Sequence, residues 1–134
     1  MAVTNNAVQI SAGLVCTLLT DPPIGASGSG YVGYDPDHAA IDTYVNVAVA
    51  STPLHTPITL AADEYGLMRI SNPNAVAVTI LSGATQIGII PPGSAAAPTC
   101  VLIPVGSTIQ INATVASSTA TVGVTIIHTS KNTA

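Results

Sequence analysis

The feature that most constrains this fold is a strict alternation of apolar and polar residues near the end of the chain. Every second position is apolar in two neighbouring segments: Ile109, Ile111, Ala113 and Val115 in the first, and Ala120, Val122, Val124 and Ile126 in the second. A period of two is typical of half-buried β-strands. Because only a short Ala-Ser-Ser segment separates them, the pattern predicts a hairpin over residues 107–127 with its turn at residues 116–118.

Further strands follow from the same reasoning. Val76, Val78 and Ile80 alternate with polar or small residues, Ser82 and Gly83 suit a tight turn, and residues 85–90 return as a second hairpin. We also expect strands at residues 8–19, 43–49, 57–60, 67–71 and 99–103, and at most one helical turn at residues 61–65. Val, Ile and Thr, which favour pleated strands, make up about a third of the chain. Eight or nine short antiparallel strands predict an all-β, jelly-roll-like sandwich.

The organisation of the chain is that of one domain over residues 1–134, since about 150 residues is usual for a domain. Residues 1–9 are expected to form an N-terminal arm. Residues 21–40 are rich in Gly and Pro and lack periodicity, so a long loop is expected there, and loops of this length are usually functional or mobile.

The shortage of charge excludes several functions. Charged residues make up 6% of the chain, with two Lys and Arg residues and a net charge of −4. Nucleic-acid binding needs several cations to neutralise phosphates, so no nucleic-acid partner is expected. Apolar runs are too short for a spanning helix, and the N-terminus does not resemble a signal peptide. We therefore expect a protein made in the cytoplasm, with no membrane partner.

Motifs with known chemistry are weak in this sequence. Gly28, Gly30 and Gly33 match the dinucleotide-binding spacing, but Pro36 follows where a long helix should begin, so no cofactor is expected. The densest polar group in the chain consists of Asp35, Asp37, His38 and Asp42. A solvated acidic turn explains this group, and a weak surface cation site is the alternative.

Histidines and cysteines give no catalytic pattern. His38, His55 and His128 are scattered and form no metal-binding pair, so no metal site is predicted. Cys16 and Cys100 are expected to be buried thiols rather than a disulfide. No nucleophile–base arrangement is visible, so we expect no enzyme and no small-molecule substrate.

Two features favour association between copies. The outward positions of the clear strands are Thr, Ser, Asn, Gln and Ala, whereas exposed sheet edges are usually protected by charge. Apolar residues also occur on both faces, as with Leu81 next to Ile80 and Ile90 next to Ile89. Apolar surface without charge is typical of interface cores. A homo-oligomer is therefore expected, with a closed trimer favoured over a dimer; a large core is the alternative explanation.

The second half of the chain resembles small β-sandwich virion proteins of tailed bacteriophages, most closely head decoration (cement) proteins. The resemblance starts at residues 65–73, YGLMRISNP, and continues through Ile80, Gly83 and Ile87 to Ile127. It implies a jelly-roll-like, commonly trimeric protomer on the capsid exterior, where it binds and bridges subunits of the major capsid protein. The family has no catalytic residue to transfer.

On this reading, the arm at residues 2–9 and the loop at residues 25–38 reach neighbouring subunits. The expected contact residues are Val3, Asn5, Val8, Tyr31 and Tyr34. The two tyrosines are expected to be the anchors, because Tyr is enriched at interface hot spots. Other classes stay open: a head fibre, tail or connector protein, or a carbohydrate-binding or adhesin module that uses the Tyr and Asp residues of the segment from Asp21 to Asp42.

Overall fold

The described part of the chain is built from β-strands. A computed structural model describes residues 7–16, 24–34, 41–60, 62, 64–107 and 109–130. The strands within these ranges are β1 (Ala7–Cys16), β2 (Ile24–Tyr34), β3 (Ile41–Val47), β4 (Thr52–Pro53), β5 (Glu64–Asn72), β6 (Val78–Ser82), β7 (Thr85–Ile90), β8 (Thr99–Val105), β9 (Ile111–Thr114) and β10 (Ala120–Ser130). No helix long and apolar enough to cross a lipid bilayer occurs among these residues.

Strand β10 is the centre of a six-stranded antiparallel sheet. One of its edges pairs with β5, which in turn pairs with β8. The other edge pairs first with β3, over Ala120 to Ile126, and then with β2 at Thr129 and Ser130. The apolar residues that alternate along β10 are buried against the second sheet: Ala120, Val122, Val124 and Ile126. The alternation in the sequence therefore correctly identifies the buried face.

The second sheet has four strands in the order β4-β9-β6-β7. Its buried residues, among them Val78, Ile80, Ile90 and Ile111, join those of the first sheet in one hydrophobic core. Met68 and Ile70 of β5 are completely buried there. The prediction of an all-β sandwich is confirmed, and its jelly-roll form stays a prediction.

The predicted hairpin at residues 76–90 is confirmed as β6 and β7, which are antiparallel neighbours. Gly83 in the turn has a φ of 61°, in the left-handed region where glycine carries no steric penalty. A register shift between Ile80 and Leu81 interrupts the ladder near this turn. Val76 precedes the strand and is exposed.

The predicted hairpin at residues 107–127 is wrong. Its two strands exist as β9 and β10, but β9 pairs with β4 and β6, while β10 lies in the other sheet. The connection crosses between the sheets, with Ser118 at a φ of 61° and the Val115 amide donating to the Ala48 carbonyl at 3.2 Å. Alternation shows which face of a strand is buried, and both strands bury their apolar face in the shared core. It does not identify the hydrogen-bonded neighbour.

The prediction of a long loop at residues 21–40 is also wrong for residues 24–34. Residues 24–34 form β2, and every residue of β1 is paired with a residue of β2. Glycine lowers strand propensity, but the backbone ladder with β1 supplies the hydrogen bonds that a loop would take from water. Of the predicted N-terminal arm, residues 7–9 belong to β1, and residues 1–6 lie outside the described ranges. We call β1 and β2, which are two of the six strands of the first sheet, the ribbon. We call the remaining strands of both sheets, β3 to β10, the body.

Two shorter predictions also differ from the structure. Residues 57–60 form no strand; Ile58 is buried without a sheet partner, and the Leu60 amide donates to the Ser107 hydroxyl at 2.7 Å. Pro57 lacks the N–H that a ladder needs. Within the segment expected to form a helical turn, Glu64 and Tyr65 begin β5 instead. The described ranges contain ten strands, of which eight, β3 to β10, form the body.

Substitution in β10 tests the assignment of the core. Ile126 is completely buried, so Ile126→Ala removes packed atoms and leaves a cavity. We expect the free energy of unfolding to fall by about 3 kcal/mol in urea denaturation. Ile109→Ala is the matched control, because Ile109 is 46% exposed, and it should cost less than about 1 kcal/mol. Equal losses in the two variants would contradict the assignment.

Candidate functional site

The outer face of the six-stranded sheet carries Asp42 and Arg69 in one of two adjacent rows of residues. Residues opposite one another in the register form the first row: Asp42, Thr125, Arg69 and Leu102. The second row contains Tyr44, Gly123, Ser71 and Cys100. Both rows run across β3, β10, β5 and β8, so four strands position one surface. We call this surface the two-row site.

A cleft of about 290 Å³ lies in the two-row site. Gly123 creates part of it, because a Cβ atom there would lie 3.5 Å from Ser71 Cβ and 3.7 Å from the Tyr44 ring. Tyr44 lines the cleft and is 80% exposed, so its ring is accessible to solvent. Pro73, Ala95 and Pro98 complete the rim. The cleft combines an aromatic ring, a carboxylate and a guanidinium group.

Cys100 is a free, exposed thiol at the end of the second row. Exposure contradicts the expectation of a buried thiol. Nη2 of Arg69 donates to its Sγ at 3.4 Å. Partial desolvation raises the pKa of Cys100, but hydrogen bonds from Ser71 and Arg69 and the charge of Arg69 have the larger combined effect, so the pKa lies below its ordinary value.

Asp42 belongs to β3 and lies in the first row. Its carboxylate accepts a hydrogen bond from Oγ1 of Thr125 at 3.1 Å. The other members of the predicted acidic group, Asp35, Asp37 and His38, lie outside the described residues. Within the described ranges, no group of three or more His, Cys, Asp or Glu residues is arranged to hold a metal ion.

The four-stranded sheet has a different outer face. Its strands β4, β6, β7 and β9 contain no charged residue. Ile87 and Ile89 of the edge strand β7 are more than half exposed, and Leu81 of β6 is half-buried beside them. We call Leu81, Ile87 and Ile89 the apolar patch. Apolar residues on both faces of β7 were predicted from Ile89 and Ile90, and Ile90 is indeed buried while Ile89 is exposed.

A second cleft, of about 690 Å³, lies beside the start of β9 and is lined in part by His55. Nε2 of His55 accepts the Ile111 amide proton at 3.0 Å, so the ring proton is on Nδ1, which donates to the Thr56 carbonyl at 2.6 Å. Gln110 donates to the His55 carbonyl at 2.7 Å. Both ring nitrogens hold backbone groups in place, and this arrangement gives His55 a structural role.

His128 is buried on β10, with its Nδ1 atom 3.6 Å from Oε2 of Glu64. The pair lies next to Thr129 and Ser130, the residues of β10 that pair with β2. It is therefore located where the ribbon joins the body, on a different part of β10 from the two-row site.

The predicted contact residues are only partly within the described ranges. Val3 and Asn5 lie outside them. Val8 is in β1 opposite Val32, Tyr31 is in β2 opposite Gln9, and Tyr34 pairs with Thr129 at the junction of the ribbon and the body. The glycine motif that starts at Gly28 lies inside β2, so the strand–turn–helix geometry of a dinucleotide site is absent from these residues.

Neither a scan against protein-family models nor a search of curated proteins gives a match to this chain.

Titration of the Cys100 thiol tests the electrostatics of the two-row site. In a Cys16→Ser background, ultraviolet absorbance of the thiolate should report a pKa below that of a free thiol. Arg69→Gln should raise this pKa, because it removes a hydrogen bond and a positive charge. Arg69→Lys keeps the charge and should have an intermediate effect. An unchanged pKa in Arg69→Gln would contradict the assignment.

Proposed function

We propose that this chain is a non-catalytic structural protein of a virion, a decoration protein that binds the exterior of a bacteriophage head and bridges subunits of the major capsid protein. The observation that carries the proposal is the uncharged outer face of the four-stranded sheet with its exposed isoleucines. Such a surface is costly to leave in water and is typical of the core of a protein interface. A rigid two-sheet body suits a protein that connects large neighbours.

The ribbon supplies a second contact surface for this role. It joins the body through two register pairs, Thr129 with Tyr34 and Ser130 with Gly33. Tyr31 lies farther along β2, opposite Gln9 of β1 and outside the two register pairs of this junction. Tyr34 lies at the junction, where its substitution would also alter the attachment of the ribbon. Of the two predicted anchors, Tyr31 is therefore the better one to test.

Binding to phage heads tests the proposal. Heads that lack decoration protein are mixed with the purified chain, and the bound fraction is measured by co-sedimentation. Tyr31→Ala should weaken binding by about tenfold, as expected for a hot-spot residue that contributes more than 1 kcal/mol. Tyr44→Ala, a matched Tyr control on the body, should bind like the unaltered chain. Circular dichroism of both variants should show an unchanged fold.

Failure of the unaltered chain to bind any head preparation would contradict the decoration role. Equal binding by Tyr31→Ala and the unaltered chain would contradict the assignment of Tyr31 as an anchor. Binding to isolated tails or connectors instead of heads would support the related role of a tail or connector component.

The two-row site favours one alternative, a carbohydrate-binding or adhesin module. Carbohydrate sites commonly combine an exposed aromatic ring with charged hydrogen-bonding groups, and Tyr44, Asp42 and Arg69 surround the cleft in this way. A glycan array distinguishes the two functions. Binding that is lost in Tyr44→Ala and retained in Tyr31→Ala would favour the alternative.

A further inference from the structure

Arg69 has hydrogen-bond donors that no carboxylate of the described residues uses. These residues include two carboxylates, Asp42 and Glu64. Neither pairs with Arg69: Glu64 lies beside His128, and Asp42 is two strands away across β10. The hydrogen bond to Cys100 takes one of the five guanidinium N–H groups. The guanidinium therefore presents further donors at an exposed position of the first row.

Asp42 supplies acceptors on the same row. Its Oδ1 atom accepts the hydrogen bond from Thr125, and Oδ2 is a second acceptor at an exposed position. Strands β3 and β5 flank β10, and neighbouring strands lie about 4.8 Å apart, so the backbones at Asp42 and Arg69 are about 10 Å apart. A small ligand that lies over β10 can therefore contact both charged groups.

The space between these two groups is open because residue 123 is glycine. It lies between the Tyr44 ring and Ser71, the two groups that an added Cβ atom would contact. The cleft volume of about 290 Å³ is near the lower limit of roughly 300 Å³ for small-molecule sites. The cleft therefore has room for a ligand of one ring, with an aromatic side chain beside it.

We propose that the two-row site binds a sugar acid, a single pyranose ring that carries a carboxylate. This inference deepens the carbohydrate-binding alternative and rests on it. The carboxylate accepts two parallel hydrogen bonds from Arg69, the geometry in which arginine binds carboxylates. Ring hydroxyls donate to Asp42, and the apolar face of the ring packs on Tyr44 above Gly123. Strands β3, β5 and β10 thus supply a counterpart for each part of the ligand.

The charge of the site separates this ligand from related ones. A neutral sugar brings no anion to Arg69, so it gains only the weaker neutral hydrogen bonds. A phosphorylated sugar brings about −1.5 to −2 charges close to Asp42, in a chain whose net charge is already −4. A sugar acid has one negative charge, which the single guanidinium of the cleft balances. The site therefore favours a carboxylate over a phosphate.

Matched ligands test the class of sugar. Methyl glucuronide and methyl galacturonide are compared with methyl glucoside and methyl galactoside, which have a hydroxymethyl group in place of the carboxylate. Isothermal titration calorimetry at low ionic strength measures the four dissociation constants. At least one sugar acid should bind tenfold or more tightly than its neutral counterpart. Added salt should reduce this difference, because exposed charges are screened.

Substitution of Arg69 tests the carboxylate contact. Arg69→Gln should lower the affinity for the sugar acid to that for its neutral counterpart, with little effect on the neutral sugar. Arg69→Lys keeps the charge and loses the two parallel donors, so it should have an intermediate affinity for the sugar acid.

Substitution of Gly123 tests the position of the ring. Gly123→Ala should weaken the binding of both sugars of a pair, because the added methyl group occupies the open space. Its nearest neighbours would be 3.5 Å away, an ordinary contact distance, so the variant should fold. Gly88→Ala is the matched control, since an added Cβ atom there meets nothing within 4 Å and lies on β7 of the other sheet. It should bind both sugars like the unaltered chain.

Several results would overturn the proposal. Equal affinity for both members of each pair would exclude a sugar acid as the preferred ligand. Unchanged sugar-acid binding in Arg69→Gln or in Gly123→Ala would place the ligand elsewhere. Binding of none of the four sugars would contradict the carbohydrate-binding alternative as well. Head binding is measured separately, because the decoration role uses the four-stranded sheet; its absence would contradict that role and leave this inference standing.

Discussion

The pairing of β10 on both edges is the constraint on which the rest of the structure depends. Its inward residues, from Ala120 to Ile126, are buried, so the strand is fixed in the core. One edge holds β5, and the other is shared between β3 and β2. A single strand thus aligns the two-row site and also joins the ribbon to the body. Displacement of β10 would affect both surfaces together.

The two outer faces of the body differ in their content of charged residues. Asp42 and Arg69 lie on the six-stranded sheet, where Arg69 donates a hydrogen bond to the free thiol of Cys100, whereas the strands of the four-stranded sheet are uncharged. One face is therefore suited to polar or reactive chemistry, and the other to contact with protein. Exposed strand edges without charge usually risk uncontrolled association. A partner that covers this face would turn that risk into a defined contact.

Sequence periodicity predicted the faces of the strands well and their partners poorly. The alternation around Ile111 and Val122 correctly identified buried residues, but the same apolar face suits either sheet of a sandwich, so the predicted hairpin was wrong. Strand β2 was missed because residues such as Gly28 and Ser29 give no hydrophobic period. The two-row site was not predictable, because Arg69 and Cys100 are brought together only by the register between β5 and β8. The exposed isoleucines were anticipated, since Ile89 and Ile90 cannot both face one core.

The proposed function requires the uncharged outer face of the four-stranded sheet to be covered in the assembled particle. Hydrogen–deuterium exchange of the chain alone and of the chain bound to phage heads tests this requirement directly. The amides of β7, at the edge of that sheet, should exchange more slowly in the bound chain, whereas those of β10 in the core should exchange slowly in both. Exchange of the β7 amides at one rate with and without heads would contradict the account.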